Sequence, residues 1–276
     1  MNARGPLAIG TIVAVVAAMA GWREAQATPR VVAYDVPVAG WTGPPLRIAQ
    51  LSDIHLGPPD MPATRVASIV AQVNALRPDL IVLTGDYHGG KLIDGKAGNL
   101  DNAIRPLARL RSRFGTFAVR GNHDEPYWSP RVLPRYGMTY LQNTHADAGP
   151  IIVAGSDDLT TGHADVAAAL AGIAPGKPVI MLMHQPDGFA AVPASVALTL
   201  AGHTHGGQVR LPLFGAPVIG SRRGYQRGAY TEGGRRLIVS SGIGTTTLPI
   251  RWGVPPEIVV VTLRSYSTGR KSGTDR

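Results

Sequence analysis

Five short apolar segments of this chain each end in a loop that carries histidine, aspartate or asparagine. The first segment, Leu46–Leu51, leads directly into Ser52-Asp53-Ile54-His55. The loops after the other four segments contain Gly85-Asp86, Gly121-Asn122-His123-Asp124, His184 and Gly202-His203-Thr204-His205. In α/β sheets, ligand-binding groups gather at the carboxyl ends of the strands. The sequence therefore predicts that all five loops meet at one pocket.

Helical patterns separate several of these apolar segments. Residues Arg65–Leu76 repeat apolar side chains at helical spacing, and Pro78 follows them. Further helices are predicted at Asn99–Leu110 and Ala164–Ala171, and strands at Leu46–Leu51, Leu80–Leu83, Thr116–Val119, Ile151–Ala154, Val179–Met183, Val196–Leu200, Arg236–Ser240 and Glu257–Leu263. Alternating strands and helices followed by a strand-rich end predict an α/β fold, a layered sandwich with mixed sheets.

The first 27 residues differ from the rest and predict a signal peptide or an N-terminal membrane anchor. Arg4 precedes a long apolar run, and Ala25-Gln26-Ala27 supplies a signal-peptidase pattern. A buried N-terminal helix is the alternative. Because the net positive charge lies before the run, we expect the remaining domain at the extracytoplasmic face of the bacterial inner membrane. Residues 28–264 then form one domain, and residues 265–276 a flexible tail.

Composition limits the chemistry that is open to this domain. The chain has 276 residues, of which 44% are hydrophobic and 16% charged, which is enough to bury a core. It has no cysteine, which excludes thiolate zinc sites, disulfides and cysteine nucleophiles. Any metal site must therefore use oxygen and imidazole ligands.

Positive charge is concentrated after the last histidine loop. The formal net charge is +9, and seven arginines lie in that region: Arg210, Arg222, Arg223, Arg227, Arg235, Arg236 and Arg251. Such a patch suits phosphate groups or an anionic bilayer surface, although each arginine taken singly is equally typical of a solvated surface. Only 6% of residues are aromatic, which leaves little to stack on bases, so no nucleic acid partner is expected.

The segment Gly202-His203-Thr204-His205 places two imidazoles two residues apart. On an extended segment, alternate side chains point the same way, so His203 and His205 would face one centre while Thr204 faces away. Each of the five loops alone is typical of a turn or a helix cap, but together they provide seven candidate metal ligands. These are Asp53, His55, Asp86, Asn122, His184, His203 and His205.

Seven ligands exceed what one ion needs. Imidazole with carboxylate suits manganese, zinc or iron, and two divalent metal ions that share Asp86 as a bridging ligand would use all seven groups. A bridged pair lowers the pKa of bound water, which makes a metal-bridging hydroxide available to attack phosphorus near neutral pH.

These motifs, in this order, resemble the calcineurin-like metallophosphoesterase superfamily, and the resemblance extends from about Leu46 to Leu263. The longer segments resemble a bacterial branch of exported or membrane-bound phosphodiesterases related to UDP-diacylglucosamine pyrophosphatases. The segments are Gly202–Gln208, Gly155–Leu159, Ser241–Gly244 and Pro255–Glu257.

The resemblance implies a four-layer α/β/β/α sandwich with two mixed sheets and the metal site at the carboxyl ends of the strands. One metal would be held by Asp53, His55, Asp86 and His205, and the other by Asp86, Asn122, His184 and His203. His123 would steady the phosphate and protonate the leaving oxygen, with Asp124 orienting its ring. Outside this pattern, Arg210 and His88 are predicted to contact the substrate.

The favoured function is a two-metal phosphoesterase that hydrolyses a phosphodiester or pyrophosphate bond. The resemblance, the N-terminal segment and the arginines favour a lipid or nucleotide-sugar lipid as substrate, and membrane association. A nuclease or protein phosphatase on the same scaffold is the first alternative. A non-catalytic metal-binding scaffold is the second, although a scaffold has no need to keep all seven ligands.

Overall fold

The computed structural model describes residues 4–92, 101 and 104–266. Most of the predicted tail at 265–276, and part of the predicted helix at 99–110, lie outside the described residues. The described part of that helix contains a 3-10 helix, Arg105–Arg109, with a proline in its first turn. Proline lacks the N–H that a continuing α-helix needs.

Twelve strands and four α-helices are present in the described residues. The strands are β1 Arg30–Val38, β2 Leu46–Leu51, β3 Leu80–Thr84, β4 Thr116–Val119, β5 Met138–Tyr140, β6 Thr144–Ala148, β7 Ile151–Gly155, β8 Val179–Leu182, β9 Leu198–Ala201, β10 Gly228–Glu232, β11 Arg235–Val239 and β12 Glu257–Ser265. The helices are α1 Arg4–Ala25, α2 Ala63–Ala75, α3 Ser129–Val132 and α4 Val166–Leu170, with further 3-10 helices at Leu133–Tyr136, Pro186–Ala191 and His205–Gly207.

The strands form two mixed sheets of six. In the first sheet the order is β1-β12-β2-β3-β4-β5, and in the second it is β10-β11-β9-β8-β7-β6. Strands β2 to β5 pair in parallel, as do β7, β8, β9 and β11, while β2–β12, β6–β7 and β10–β11 are antiparallel. The predicted mixed sheets are confirmed, and all eight predicted strands are present with boundaries within two residues.

Three apolar clusters define four layers. One lies between the two sheets and joins Ile48 and Val82 of the first sheet to Ile180 and Leu198 of the second. A second packs the outer face of the first sheet against α2, and a third packs the outer face of the second sheet against α4 and the Pro186–Ala191 helix. The α/β/β/α sandwich is therefore confirmed, with thin helical layers.

The carboxyl ends of the parallel strands from both sheets meet at one edge of the sandwich. Gln50 of β2 donates from Nε2 to the Ala201 carbonyl of β9 at 2.9 Å, which ties the two sheets together. Beyond the strand ends, the Ile243 amide donates to the Ser52 carbonyl at 3.0 Å. The loops that carry the predicted ligands are thus brought into contact by the fold itself.

Helix α1 rests its carboxyl end on the domain. Arg65 donates to the Ala25 carbonyl at 2.6 Å, the Arg251 amide donates to the Gly21 carbonyl at 2.9 Å, and the Gly253 amide donates to Glu24 at 3.0 Å. Toward its amino end the helix exposes large apolar side chains, including Val15. In the described part of the chain, no helix has both the length and the apolar character required to cross a membrane.

Candidate metal centre

Six of the seven predicted ligands form two triads at the edge where the sheets meet. Asp53, His55 and His205 make one triad, and Asp86, His184 and His203 make the other. Within each triad, one ligand atom per residue lies within 4.8 Å of the other two. The carboxylate of each triad comes from a loop of the first sheet, which also supplies His55, and the other imidazoles come from loops of the second sheet.

The carboxylate of Asp86 lies between the two triads. Its Oδ2 is 3.1 Å from Nε2 of His184 and 3.6 Å from Nε2 of His55. Its Oδ1 accepts a hydrogen bond from the His123 amide at 2.9 Å. This is the position that a bridging ligand needs, since one oxygen faces donors of both triads.

Backbone carbonyls fix the orientation of two of the imidazole rings. Nδ1 of His55 lies 2.7 Å from the Gly89 carbonyl, and Nδ1 of His184 lies 2.7 Å from the Thr84 carbonyl. A ring that donates from Nδ1 presents the lone pair of Nε2 to the centre, which is the usual arrangement of a metal-binding histidine. In His55 that Nε2 lies 3.1 Å from Nε2 of His205.

Burial sets the protonation of the centre. It lowers the pKa of His55 and of His203 to about 4, and that of His205 well below its ordinary value. Burial also lowers the pKa of His184, but the Asp86 carboxylate outweighs it and raises that pKa to about 10. Three imidazoles are thus neutral at physiological pH, as metal ligands must be. The donor set fits two divalent metal ions.

The backbone at the centre is strained. Asp53, His55, Asp86, His203 and His205 all have positive φ, between 46° and 72°. Left-handed backbone costs a residue with a side chain about 1 kcal/mol or more, and such residues collect at functional sites. The packed loops of two sheets hold this conformation in place.

The Gly202–His205 loop differs from its prediction in local geometry. The segment is not extended, because His203 and His205 are left-handed while Thr204, between them, is right-handed helical. The imidazoles still reach the centre, one to each triad, and the Thr204 hydroxyl donates to the Gln226 carbonyl. Both imidazoles therefore point to the centre as predicted, but strand alternation, the physical reason given for it, was wrong.

The loop that follows β4 brings three predicted residues to the centre. Asn122 Oδ1 lies 3.1 Å from Nε2 of His184, beside the second triad. The half-buried ring of His123 packs edge-on against His55, with centroids 5.3 Å apart. Asp124 does not hold that ring as predicted. Its oxygens accept backbone amides of Gly121, Asp86 and Tyr87, each at 2.8 Å, so it ties two site loops together.

The two predicted substrate contacts, Arg210 and His88, lie to the side of the centre. The Arg210 guanidinium donates to Gln226, and its amide pairs with the Trp252 carbonyl. The His88 ring packs edge-on against Trp128, with centroids 5.2 Å apart. Neither residue is among the described residues that line the two cavities beside the centre.

The arginine-rich region divides into two groups. Arg251 is fully buried and donates to the carbonyls of Gly244, Ser241 and Val254, while Arg235 donates to three carbonyls of the second sheet's outer layer. These two arginines stabilise the fold, so the basic surface is smaller than the seven arginines of the sequence predict. Arg222 and Arg223 do lie beside the centre and are exposed.

Two cavities flank the metal centre, and both are lined by His203 and Gly220. The first, of about 480 Å³, also contains Asp86, His123 and His205 in its lining. Its outer wall is mainly apolar and is formed by Val209, Pro217, Val218, Leu248 and Ile250. The second, of about 930 Å³, is lined by both polar and apolar side chains, which include Arg222, Arg223, Thr160 and Gln185 as well as Leu159 and Ile219. The apolar wall was not predicted from the sequence.

A buried network behind the site accounts for Asp157 and Asp158, which had no predicted role. Arg120 donates from Nε to Asp157 at 2.6 Å, and from Nη1 to the Asp124 carbonyl at 3.3 Å. Asp158 accepts from the amide and hydroxyl of Thr161 and from Gln185 Nε2 at 2.6 Å. Gln185 follows His184 directly, so the network supports loops of both sheets at the centre.

Comparisons with known proteins identify related sequences. The sequence profile described as calcineurin-like phosphoesterase matches residues 46–207, more than half of the chain. The metallophosphoesterase YkuE of Bacillus subtilis is 35% identical over 235 residues, which cover 79% of each chain. A transmembrane protein with metallophosphoesterase domain from Bos taurus is 33% identical over 291 residues, and the alignment covers 94% of this chain but 62% of that protein. Among solved structures, a dimetal phosphatase from Danio rerio is similar over 79% of this chain and 98% of its own, with 13% identity and a TM-score of 0.47.

Proposed function

This chain belongs to the calcineurin-like phosphoesterase family, and from that premise we propose that it hydrolyses a phosphodiester or pyrophosphate bond in an amphiphilic substrate. The coarser activity is established: the chain is a metal-dependent phosphoester hydrolase that uses two divalent metal ions. A lipid or a nucleotide-sugar lipid, of the UDP-diacylglucosamine type, is the proposed substrate class.

The apolar wall of the 480 Å³ cavity is the observation that carries this proposal. Leu248, Ile250 and Val218 face the same space as the metal ligands Asp86 and His205. Apolar side chains around a cavity favour an apolar ligand, and a few polar groups then orient it. A substrate that carries an acyl chain next to its phosphate matches this arrangement.

The larger cavity suits the other half of such a substrate. Arg222 and Arg223 are exposed beside it, and guanidinium groups bind phosphate oxygens in a bidentate manner. Because His203 and Gly220 line both cavities, a phosphate at the centre would have one substituent in the apolar cavity and one in the cavity beside Arg222 and Arg223. A diester or pyrophosphate has two such substituents, whereas a monoester has one.

The roles of the residues at the centre follow from their positions. When bound, two divalent ions supply a strong nucleophile from water and neutralise charge on the phosphoryl oxygens. Asp53, His55 and His205 would hold one ion, Asn122, His184 and His203 the other, and Asp86 both. His123, whose ring lies in the lining of the apolar cavity, is placed to donate a proton to the leaving oxygen.

We further propose that residues 1–27 keep the domain at the extracytoplasmic face of the membrane. Two observations support retention of the segment: Ala25 is fully buried, and Gly21, Glu24 and Ala25 all hydrogen bond to the domain. The bovine relative is named as a transmembrane protein. Mass spectrometry of the purified chain tests this proposal. A start at Met1 supports an anchor, and a start at Thr28 contradicts it.

A substrate panel tests the proposed reaction. The protein, loaded with Mn²⁺, Zn²⁺ or Fe²⁺, is assayed on bis-p-nitrophenyl phosphate, p-nitrophenyl phosphate, single-stranded DNA, a phosphopeptide and UDP-diacylglucosamine. We expect diester or pyrophosphate hydrolysis to exceed monoester hydrolysis. Preference for the monoester or phosphopeptide would contradict the diester proposal, and preference for DNA would favour a nuclease.

The apolar cavity is tested separately by Leu248→Ser. We expect this variant to raise KM for an acylated substrate by about tenfold, since burying a leucine-sized surface contributes about 1.5 kcal/mol or more. The KM for bis-p-nitrophenyl phosphate should stay unchanged. Tyr266→Ser, at the opposite end of the sheets, serves as the control. Equal KM values for the acylated substrate in wild type and Leu248→Ser would contradict the lipid part of the proposal.

A further inference from the structure

The loop after the last histidine motif ends in a tight apolar turn, Leu211–Gly215. Its backbone closes on itself: the Leu211 amide donates to the Gly215 carbonyl at 2.8 Å, and the Gly215 amide donates back at 3.0 Å. At the tip, Leu213 is 102% exposed and Phe214 is 85% exposed. Two large apolar side chains are thus held in solvent by a turn that is itself ordered.

The backbone of the apolar turn presents these side chains outward. Leu213 has a φ of 68°, a left-handed conformation that is rare for a residue with a side chain. The base of the turn is fixed to the domain, because the Arg210 amide donates to the Trp252 carbonyl at 2.7 Å and the Trp252 amide donates to the Gln208 carbonyl at 3.0 Å. The exposure of the tip is therefore a property of the fold.

The exposed apolar surface continues from the turn into the site. Val218 is exposed and also lines the apolar cavity, together with Leu248, which is exposed as well. The carboxyl end of α1 rests on the neighbouring segment, where Gly21 approaches Ile250 and Arg251. The segment Leu248–Trp252 therefore contacts all three features: the base of the turn, the mouth of the apolar cavity, and α1, the helix that exposes Val15.

Charge around this surface is complementary to an anionic membrane. Arg222 and Arg223 follow the apolar turn and are exposed. Asp187, a carboxylate close to them, accepts the Ser221 hydroxyl and the backbone amides of Arg222 and Arg223. Apolar side chains flanked by arginine match the interface of a bilayer that contains anionic lipid.

We propose that the apolar turn inserts Leu213 and Phe214 into the surface of an anionic bilayer, and that this contact places the mouth of the apolar cavity against the lipid. A substrate chain could then pass from the bilayer to the metal centre along Val218 and Leu248. The inference builds on the proposed function, but binding to vesicles is measured without turnover, so the two fail separately.

Vesicle binding by the full chain tests the proposal. The wild type and the double variant Leu213→Ser/Phe214→Ser are sedimented with vesicles of phosphatidylcholine, with or without phosphatidylglycerol. We expect the double variant to bind mixed vesicles about tenfold or more weakly, because two apolar side chains no longer enter the interface. Binding of the wild type should weaken in about 1 M salt, where charges are screened beyond about 3 Å. Hydrolysis of bis-p-nitrophenyl phosphate should not change.

Two further variants keep the test independent of α1. The chain has four native tryptophans, including Trp22 of α1, so each emission spectrum is compared with that of the wild type. Phe214→Trp should add a blue-shifted emission on mixed vesicles and added quenching by brominated lipid, whereas Tyr266→Trp, at the opposite end of the sheets, should add neither. Equal vesicle binding by the wild type and the double variant, or an absence of added quenching in Phe214→Trp, would overturn the proposal. A loss of self-association in the double variant, with vesicle binding unchanged, would instead identify the turn as an interface between two copies.

Discussion

At the scale of the residue, the site depends on backbone conformations that its residues do not favour. Five of the seven predicted ligands have positive φ, and the cost is met by packing of the loops on which they lie. At Gly202, a Cβ atom would lie 1.9 Å from Ser52 Oγ and 2.5 Å from Asp53 Oδ2. Glycine is therefore required there so that the loops of the two sheets can touch.

The two histidines of the Gly202–His205 loop belong to different triads, which makes a prediction about metal content. His203→Ala and His205→Ala should each lower the metal content from about two ions per chain to about one, because each removes an imidazole from only one triad. Elemental analysis after dialysis measures this. The double variant should hold about none, and His163→Ala, at an exposed loop, should hold two. Loss of both ions in either single variant would show that the triads are not separate sites.

His123 is the one imidazole of the centre that belongs to neither triad in the described residues. If it protonates the leaving oxygen, His123→Ala should lower kcat by about 100-fold or more on a diester with a basic leaving group. The loss should be small on bis-p-nitrophenyl phosphate, whose leaving group is already a good one. The two rates are compared by steady-state kinetics, with His145→Ala as the control. Equal losses on both substrates would assign His123 a binding role instead.

At the scale of the element, a buried ion pair connects the loop after β4 to the loop after β7. Arg120 and Asp157 are almost fully buried and lie 2.6 Å apart. Removing one partner of such a pair leaves the other charge buried without compensation. This pair therefore stabilises the position of both loops behind the centre.

Asp157→Ala should lower the free energy of unfolding by about 3 kcal/mol, because the Arg120 guanidinium would stay buried without its partner. Urea denaturation of the metal-loaded protein measures the change. Asp147→Ala is the matched control, since Asp147 pairs with Lys177 on the exposed surface and its loss should have no measurable effect. Equal effects of the two substitutions would show that the buried pair adds no stability.

The strands that the sequence predicts are those made of buried apolar runs. β3 is buried at every position, and so is β4, which was predicted with its observed boundaries. β1, β5, β6 and β10 were missed, because all four lie at sheet edges and include exposed and half-buried residues instead of an unbroken buried apolar run. Their pairing partners decide their conformation, and for β1 that partner is β12, at the other end of the chain.

The candidate site was predictable to the extent that chemistry is visible in residue types. Histidine and aspartate after apolar strands indicated the ligands, since both sheets direct their carboxyl ends to one edge. The apolar cavity wall was not predictable, because Val218, Leu248 and Ile250 come from irregular loops with no periodic pattern. The role of Asp124 also depended on three dimensions, since its partners are backbone amides from two loops.

At the scale of the whole molecule, the centre affects stability across pH when metal is removed. The pKa of His184 in the folded chain is about 10, above its ordinary value of 6.5. Its contribution to the free energy of unfolding is therefore fully present below pH 6.5 and is lost as pH rises to 10. Burial also raises the pKa of Asp53 to about 6 and of Asp124 to about 7, and their contributions likewise fall as pH rises.

The metal-free protein should therefore have a lower Tm at pH 9.5 than at pH 6.5. In the metal-loaded protein the centre should not cause this decrease in Tm, because the ions replace the His184 proton and bind only the folded chain. Thermal unfolding with and without a chelator measures both cases. The His184→Gln variant, in its metal-free form, should lose most of the decrease. A metal-free Tm that rises over the same range would contradict the assignment.

Both triads combine loops that are far apart in sequence, and this has a consequence for when the protein becomes active. Asp53 and His205 belong to the same triad, and they are separated by most of the domain. The first sheet is complete only when β12 has paired with β1 and β2. A nascent chain cannot hold the first ion in its final set of ligands until His205 has left the ribosome, nor the second ion until His203 has. The protein therefore acquires its metals late in synthesis or after it, in the compartment where it finishes folding, and the ions available there will decide which metals it uses.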